Sequence, residues 1–479
     1  MEGELVVTLS GTDRSGAAVA RLGEERLLVH GAIVGERVRV RPGRDVGHGT
    51  LAELLEVVEP SAERVVPRCR HAAVCGGCTW QHVAYPEQLR LKTWLLDRVL
   101  RRVLGDASPA VEPMRGTLAG ADGMPWGFRQ KSAFVFAPGP GGSLAMGHFI
   151  RGTHEVVPVV ECPVHPQRAN EVAFALHDEL RKASIAAAGE RLRGLARHVL
   201  VRTTEDGSEA VALLVATRDD ASLEGPLQAL GRRPERPEGL ALNLHDRPGP
   251  YLLGGTTRRV FGRGHVREEA LGPAFLVSPT AFFQTNVAAA GELVRLVAAA
   301  LPSPSRVLDL YSGAGLFALS LARLGHAVTG VEESRKAGRD AELNRRTNGL
   351  GEESLRLVPA SAEAALPRFE PGAFDAVVLD PPRDGASAAV LRQVFQRLSP
   401  PRAVLVSCNP DALARELQQA LRAGYRALRV QPVDMFPHTP HVEAVAVLER
   451  APVRRPTRTS RSRTRGSRTR PARGHSRTA

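Results

Sequence analysis

Residues 306–315 read Arg306-Val307-Leu308-Asp309-Leu310-Tyr311-Ser312-Gly313-Ala314-Gly315, an apolar run that meets an aspartate and then turns through two glycines. The run predicts a buried strand over Arg306–Leu310, and the glycines predict a tight turn into a helix over Leu316–Leu324. A strand over Ala327–Val331, closed by Glu332, and a helix over Arg335–Asn348 follow. Glycines at a helix N-terminus let a ligand reach the backbone, and a carboxylate at the end of the next strand can accept from ribose hydroxyls. No third glycine is present to cradle a pyrophosphate, so the pattern suits S-adenosylmethionine better than NAD.

Strand–helix alternation continues outward from this stretch. Ala376–Leu379 and Ala403–Ser407 read as buried strands, Asp411–Ala423 as a helix, and Ala427–Val433 and Val442–Leu448 as terminal strands. Residues 275–450 are therefore expected to form a doubly wound α/β sheet. Upstream, from Arg129 to about Thr257, short strand-like runs (132–136, 155–160, 199–202, 210–216) surround a helical stretch near 164–185, which predicts a central β-rich unit. Tyr85–Val103 reads as a helix with proline in its first turn and Leu89, Trp94, Leu95 and Val99 on its apolar face. Residues 1–62 alternate in five short runs (4–9, 17–22, 25–30, 37–42, 49–58), the pattern of a small β-barrel of a kind that often binds nucleic acid.

Composition bounds the function. The 479 residues are 43% hydrophobic and 24% charged, which excludes wholesale disorder and a fibrous chain. No run approaches the ~20 apolar residues of a membrane span. The start (Met1, Glu2, Glu4) lacks the basic and apolar regions of a signal peptide, and the expected location is the cytoplasm. Of the net charge of +13, residues 451–479 supply ten arginines and no acid, leaving about +3 for the body. That tail reads either as a disordered arm that neutralises phosphates or as a passive solubilising segment. Only four basic residues are lysine (92, 131, 182, 336), so an arginine bias runs through the whole chain and does not decide between the two.

Five cysteines are present, three of them as Cys69-x5-Cys75-x2-Cys78. In a cytosolic chain this spacing argues for a metal site over disulfides, with Cys162, followed by Pro163, as the candidate fourth ligand. Zinc and an iron–sulfur cluster both suit four thiolates. Cys408 is left with a different task. It lies in Ser407-Cys408-Asn409-Pro410, at a strand end just before a helix, where a thiolate can be stabilised as a nucleophile. Asp380-Pro-Pro-Arg383-Asp-Gly385 lies at the same carboxyl edge. Its prolines stiffen the loop, and Arg383 replaces the aromatic residue of the corresponding loop in amino-methylating enzymes, which argues against N-methylation. The segment Asp434 to Glu443 brings a further carboxylate to this edge. Neither His438 nor His441 has a helical partner four residues away, which argues against a metal there.

Taken with Phe283-Gln284-Thr285-Asn286, these motifs resemble the TrmA/RumA family of RNA uridine-5-methyltransferases over nearly the whole chain to about residue 450. The resemblance implies a TRAM-like (OB-like) barrel over 1–62, an iron–sulfur and RNA-binding central unit over 63–274 with helix 85–103 free to pack on the catalytic unit, a Rossmann-like methyltransferase domain over 275–450, and the tail over 451–479. It implies Cys408 as nucleophile and Glu443 as base. Gln284, Tyr311, Glu332 and Asp380 fall at S-adenosyl-L-methionine contacts, and Cys69, Cys75, Cys78 and Cys162 at the ligands of a 4Fe–4S cluster. Phe128-Arg129-Gln130-Lys131 resembles the family's aromatic-Arg-Asn-Lys segment with Gln130 in place of Asn. Ser361 or Glu363 stands where an Asn/Asp cofactor contact is expected, and Ser312 replaces a second glycine-loop cysteine. The implied activity is C5-methylation of a uridine in structured RNA by a monomer. Barrel and cluster together favour 23S rRNA, with tRNA as the alternative substrate and a non-catalytic RNA-binding assembly factor as the alternative function.

Overall fold

A computed structural model describes residues 3–249 and 251–451; the arginine-rich tail from 452 onward lies outside the described residues. Three large sheets organise the described residues, with a two-stranded pair, Val266–Glu268 and Phe275–Val277, beside them. The C-terminal sheet runs in the spatial order 355–359, 327–332, 306–310, 376–379, 402–407, 443–450, 425–433. The first five strands are parallel, and Glu443–Arg450 lies antiparallel to both of its neighbours. Side chains alternate across a strand. Val307, Val378 and Val404 therefore pack on one face with the helices Val287–Ala300 and Leu316–Arg323, while Leu308, Leu379 and Leu405 pack on the other with Pro410–Arg422. The doubly wound reading holds, with one strand missed. Leu355–Pro359 is an edge strand with only Leu355 fully buried, so it lacks the continuous apolar run that marks the central strands.

Helix Tyr85–Leu104 does pack on this unit, burying Leu96 and Leu100 against the same face as Leu417 and Leu448. Leu89, Leu95 and Val99 pack inward as expected, and only Trp94 departs. Trp94 is exposed under the Arg98 guanidinium, 5.1 Å from its ring centroid, and Lys92 takes a fully buried place. The central sheet has seven strands in the order 256–262, 239–244, 210–216, 196–203, 131–138, 144–149, 156–158. Helices Gln167–Lys182 and Glu224–Leu230 cover one face. The run expected over 155–160 shortens to Val156–Pro158, an edge position where a proline without an N–H is tolerated.

The N-terminal sheet has six strands, one more than its five apolar runs suggest. Its order is 5–8, 37–45, 50–59, 25–29, 18–22, 11–12. The two outermost strands are separated in sequence only by Leu9 and Ser10, so the sheet closes on itself; the extra two-residue strand Gly11–Thr12 makes that closure. Among the described residues, no helix is long and apolar enough to cross a membrane.

Candidate active site and cysteine cavity

The carboxyl ends of the parallel strands gather the residues singled out by sequence. Tyr311 adopts a left-handed backbone (φ 65°) and starts the turn in which Gly313 (φ 57°) and Gly315 (φ 95°) follow. A side chain at Gly315 would be strained by that φ and would meet Leu319. One at Gly313 would find open space within 4 Å, so the turn fronts a free volume. Glu332 is held there by two backbone donors, Gly313 N–H at 2.8 Å and Ser334 N–H at 2.7 Å. Asp309 is fully buried with both carboxylate oxygens lacking a hydrogen-bond partner among the described residues. Burial first, then the charges of Asp380 and Glu332, push its carboxyl well above the usual range. Ser361 caps the short helix Ala362–Ala365 and Glu363 accepts from Ser387 Oγ at 2.8 Å, so both are engaged locally.

Cys408 and Glu443 come together at the end of the antiparallel pair. Ser407 and Ala444 form the last registered pair; Cys408 follows the first and Glu443 precedes the second, close enough for the Glu443 charge to act on the thiol. Asn409 then caps the helix Pro410–Arg422 and donates from Nδ2 to the Arg383 carbonyl at 2.8 Å, tying the Asp380–Gly385 loop beside the thiol. Burial and the neighbouring Glu443 push the Cys408 thiol up to about 11, against which Arg383 pulls down. Glu443 is 3% exposed; burial and Asp380 push its carboxyl well above the usual range, again opposed by Arg383. Burial pushes Asp380 up to about 7. The site thus gathers two carboxyls and a thiol, all pushed upward by burial, around the Arg383 guanidinium.

Gln284 lies in the loop before helix Val287–Ala300, where its carbonyl accepts from Arg202 Nη1 at 3.4 Å. Asn286 caps that helix, and Gln130 fills the departure from Asn by accepting from Val287 N–H at 3.2 Å while its own N–H donates to Thr285 O at 2.7 Å. Phe283 is buried and Phe282, beside it, is 80% exposed. Sequence reasoning did not single out Phe282, Arg383's electrostatic role, or Glu416. Glu416 is buried, accepts from Ala386 N–H at 2.7 Å and lies where a Cβ on Gly385 would come within 2.8 Å of its Oε1. Only Phe282 carried a readable signal, as a large aromatic beside the Gln284 motif.

The strand bearing Glu443 is positioned by the segment before it. Asp434 is buried between Lys92 Nζ at 2.5 Å and Tyr85 Oη at 2.9 Å, both from the helix Tyr85–Leu104. His438 is also buried. Its N–H donates to Gln88 Oε1 at 2.8 Å, its ring stacks on Trp126 with centroids 4.7 Å apart, and its carbonyl accepts from both Thr79 and Trp80 N–H at 2.9 Å. Trp80 Nε1 in turn donates to Gly16 O at 2.8 Å, so the barrel, the cysteine segment and this segment meet.

All four remaining cysteines line one cavity of about 140 Å³. Burial, reinforced by the neighbouring thiols, pushes Cys78 up to about 11 and Cys162 up to about 12. Such thiols become thiolates when a metal offers them positive charge.

A family model described as tRNA (Uracil-5-)-methyltransferase matches residues 274–451. An uncharacterized RNA methyltransferase of Gloeobacter violaceus is 35% identical over 94% of this chain and 98% of its own. The chain belongs to the TrmA/RumA family of RNA (uracil-5-)methyltransferases. A second member of this methyltransferase family, from Thermosynechococcus vestitus, is 34% identical over 92% of this chain and 96% of its own. The solved tRNA (uracil-54, C5)-methyltransferase of Pyrococcus abyssi, in complex with S-adenosyl-L-homocysteine, superposes on the methyltransferase with a TM-score of 0.74 at 25% identity, covering 93% of this chain and all of that one.

Proposed function

We propose that the protein methylates C5 of a uridine in structured RNA, with S-adenosyl-L-methionine as donor and Cys408 and Glu443 as the reacting side chains. The observation that carries this reading is the placement of that thiol and that carboxylate just beyond the last registered pair of two adjacent strands, Ser407–Ala444, at the same sheet edge as Asp380 and the glycine turn. Glu332, Asp380, Tyr311 and Gln284 would hold the cofactor. The open space before Gly313 and the oriented Glu332 carboxylate suit it. When bound, it supplies an electrophilic methyl group.

Uracil C5 is a weak nucleophile. Addition of the Cys408 thiolate to C6 forms an S–C6 bond and moves the ring electrons into an enolate that is nucleophilic at C5. Once C5 carries the methyl group, Glu443 takes the C5 proton; the C5–H electron pair restores the double bond and expels the thiolate from C6. The base must leave its stack to reach Cys408, and the exposed Phe282 ring offers a face on which an unstacked base can rest.

Cys69, Cys75, Cys78 and Cys162 suit a 4Fe–4S cluster in a structural role, because four thiols share one enclosed cavity and methyl transfer needs no electron transfer. A closed six-stranded N-terminal sheet is in keeping with a TRAM-like barrel, and barrel and cluster together favour 23S rRNA. The match to an archaeal tRNA enzyme over 93% of the chain supports tRNA as the second reading. Retention of the Cys408–Glu443 pair opposes a purely non-catalytic assembly factor. The deciding experiment offers methyl-labelled cofactor with 23S rRNA or tRNA to the wild type, Cys408→Ala and Glu443→Gln. Cys408→Ala should form neither product nor adduct. Glu443→Gln should stall after methyl transfer and run on a denaturing gel as a slow band carrying label from both cofactor and RNA. A folded Glu443→Gln protein without that band would overturn the role of Glu443, and tritium release from 5-tritiated uridine RNA by Cys408→Ala would overturn that of Cys408.

A further inference from the structure

Three histidines, His71, His148 and His165, line the cysteine cavity and take no part in the reading above; the last two lie with Cys162. His148 stands on strand Leu144–Phe149, and His165 in the turn that follows Cys162. One ligand atom from each, together with Cys162 Sγ, falls within 4.8 Å of one another. His165 is 5% exposed, and its Nδ1 and the Nε2 of His148 are both buried without a hydrogen-bond partner. A buried ring nitrogen left unpaired is costly, and the cavity wall is where both residues lie. The turn is rigid. Asn170 accepts from Cys162 N–H at 3.0 Å and donates to Cys162 O at 3.1 Å, while Phe134 packs against both imidazoles with centroids 4.9 Å away.

We propose that His148, Cys162 and His165 form a second metal site, for a single divalent ion of the zinc class, that shares Cys162 with the four-cysteine set and is filled only when that set holds no cluster. Two imidazoles and one thiolate are a common zinc donor set, and three protein ligands leave a position for water. Cys162 belongs to both sets and both line the same cavity of about 140 Å³, so one occupant excludes the other. The inference rests on the cluster reading only through that shared cysteine.

The test uses the full-length chain freed of iron by chelation, titrated anaerobically with Co²⁺ as the probe. Wild type should take up one Co²⁺ with the thiolate charge-transfer and intense d–d bands of a four-coordinate site, and zinc should displace it. His148→Gln and His165→Asn should each lose the bands yet still turn brown on reconstitution with iron and sulfide. Cys69→Ser should do the opposite, keeping the cobalt spectrum and losing the cluster; Cys162→Ser should lose both. Cobalt bands that survive both histidine variants but vanish in Cys69→Ser would overturn the proposal, as would histidine variants that fold normally and lose the cluster. Failure of the wild type to form any cluster would count against the cluster reading alone, since the cobalt titration is read separately.

Discussion

At the residue scale, the chemistry of the site is set by Arg383. It is the one cation that pulls both the Cys408 thiol and the Glu443 carboxyl downward against burial. Arg383→Gln should therefore move the thiol pKa further up, slow methylation near pH 7.5 and shift the rising limb of the pH–rate profile to higher pH. An unmoved profile would show that the guanidinium does not act on the thiol. Glu443 carries the opposite sign in stability. A carboxyl whose folded pKa is raised stabilises the fold fully below its unfolded value, near 4.5, and that contribution is lost as pH rises through the folded pKa. Glu443→Gln removes the loss, so melting curves should show the variant gaining on wild type as the buffer is taken from pH 5 to pH 9. A constant difference would mean that Glu443 is ionised throughout.

At the element scale, the segment 434–442 is an anchored arm rather than a loop. Its Asp434 is fully buried against a fully buried Lys92. Removing one member of such a pair strands the other, and Lys92→Ala should cost roughly 3–5 kcal/mol in urea unfolding. The double replacement Lys92→Met with Asp434→Leu should recover much of that; no recovery would show that the hydrogen bond from the Tyr85 hydroxyl to Asp434, not the charge pair, holds the arm. Gly385→Ala should lower both stability and turnover, because φ is 82° there and Glu416 leaves no room for a Cβ. These contacts mark the limit of what the sequence discloses. The strands and glycine turn around Asp309 follow from local apolar runs and turn chemistry, and Cys408 and Glu443 from motifs at predicted strand ends. Lys92 had been invisible as a buried cation because its partner is 342 positions away, and Trp94 reads as core until that lysine is seen in its place. His165 follows Cys162 after two residues, a spacing open to reading, but His148 stands on a separate strand and nothing in the sequence joins it to them.

At the scale of the whole molecule, the catalytic sheet does not end at its own sequence boundary. Leu96 and Leu100 complete its core, and Lys92 neutralises its Asp434. A fragment of residues 275–451 should consequently be aggregation-prone and inactive, while one of 1–451 should melt with wild type; a soluble, cofactor-binding 275–451 would refute the dependence. Deleting 452–479 tests the arginine tail separately: an RNA-binding arm predicts a shallower dependence of affinity on salt with turnover at saturating RNA preserved. The contacts of His438 have a further consequence, in time. Thr79, Trp80, Gln88 and Lys92 leave the ribosome hundreds of residues before the segment they receive, so its seat is made early and waits. Glu443 is among the last described residues to be synthesised, and a chain interrupted after the glycine turn and Cys408 lacks the carboxylate that would release a bound base. On the proposed mechanism, complete turnover waits for the strand Glu443–Arg450 to be made.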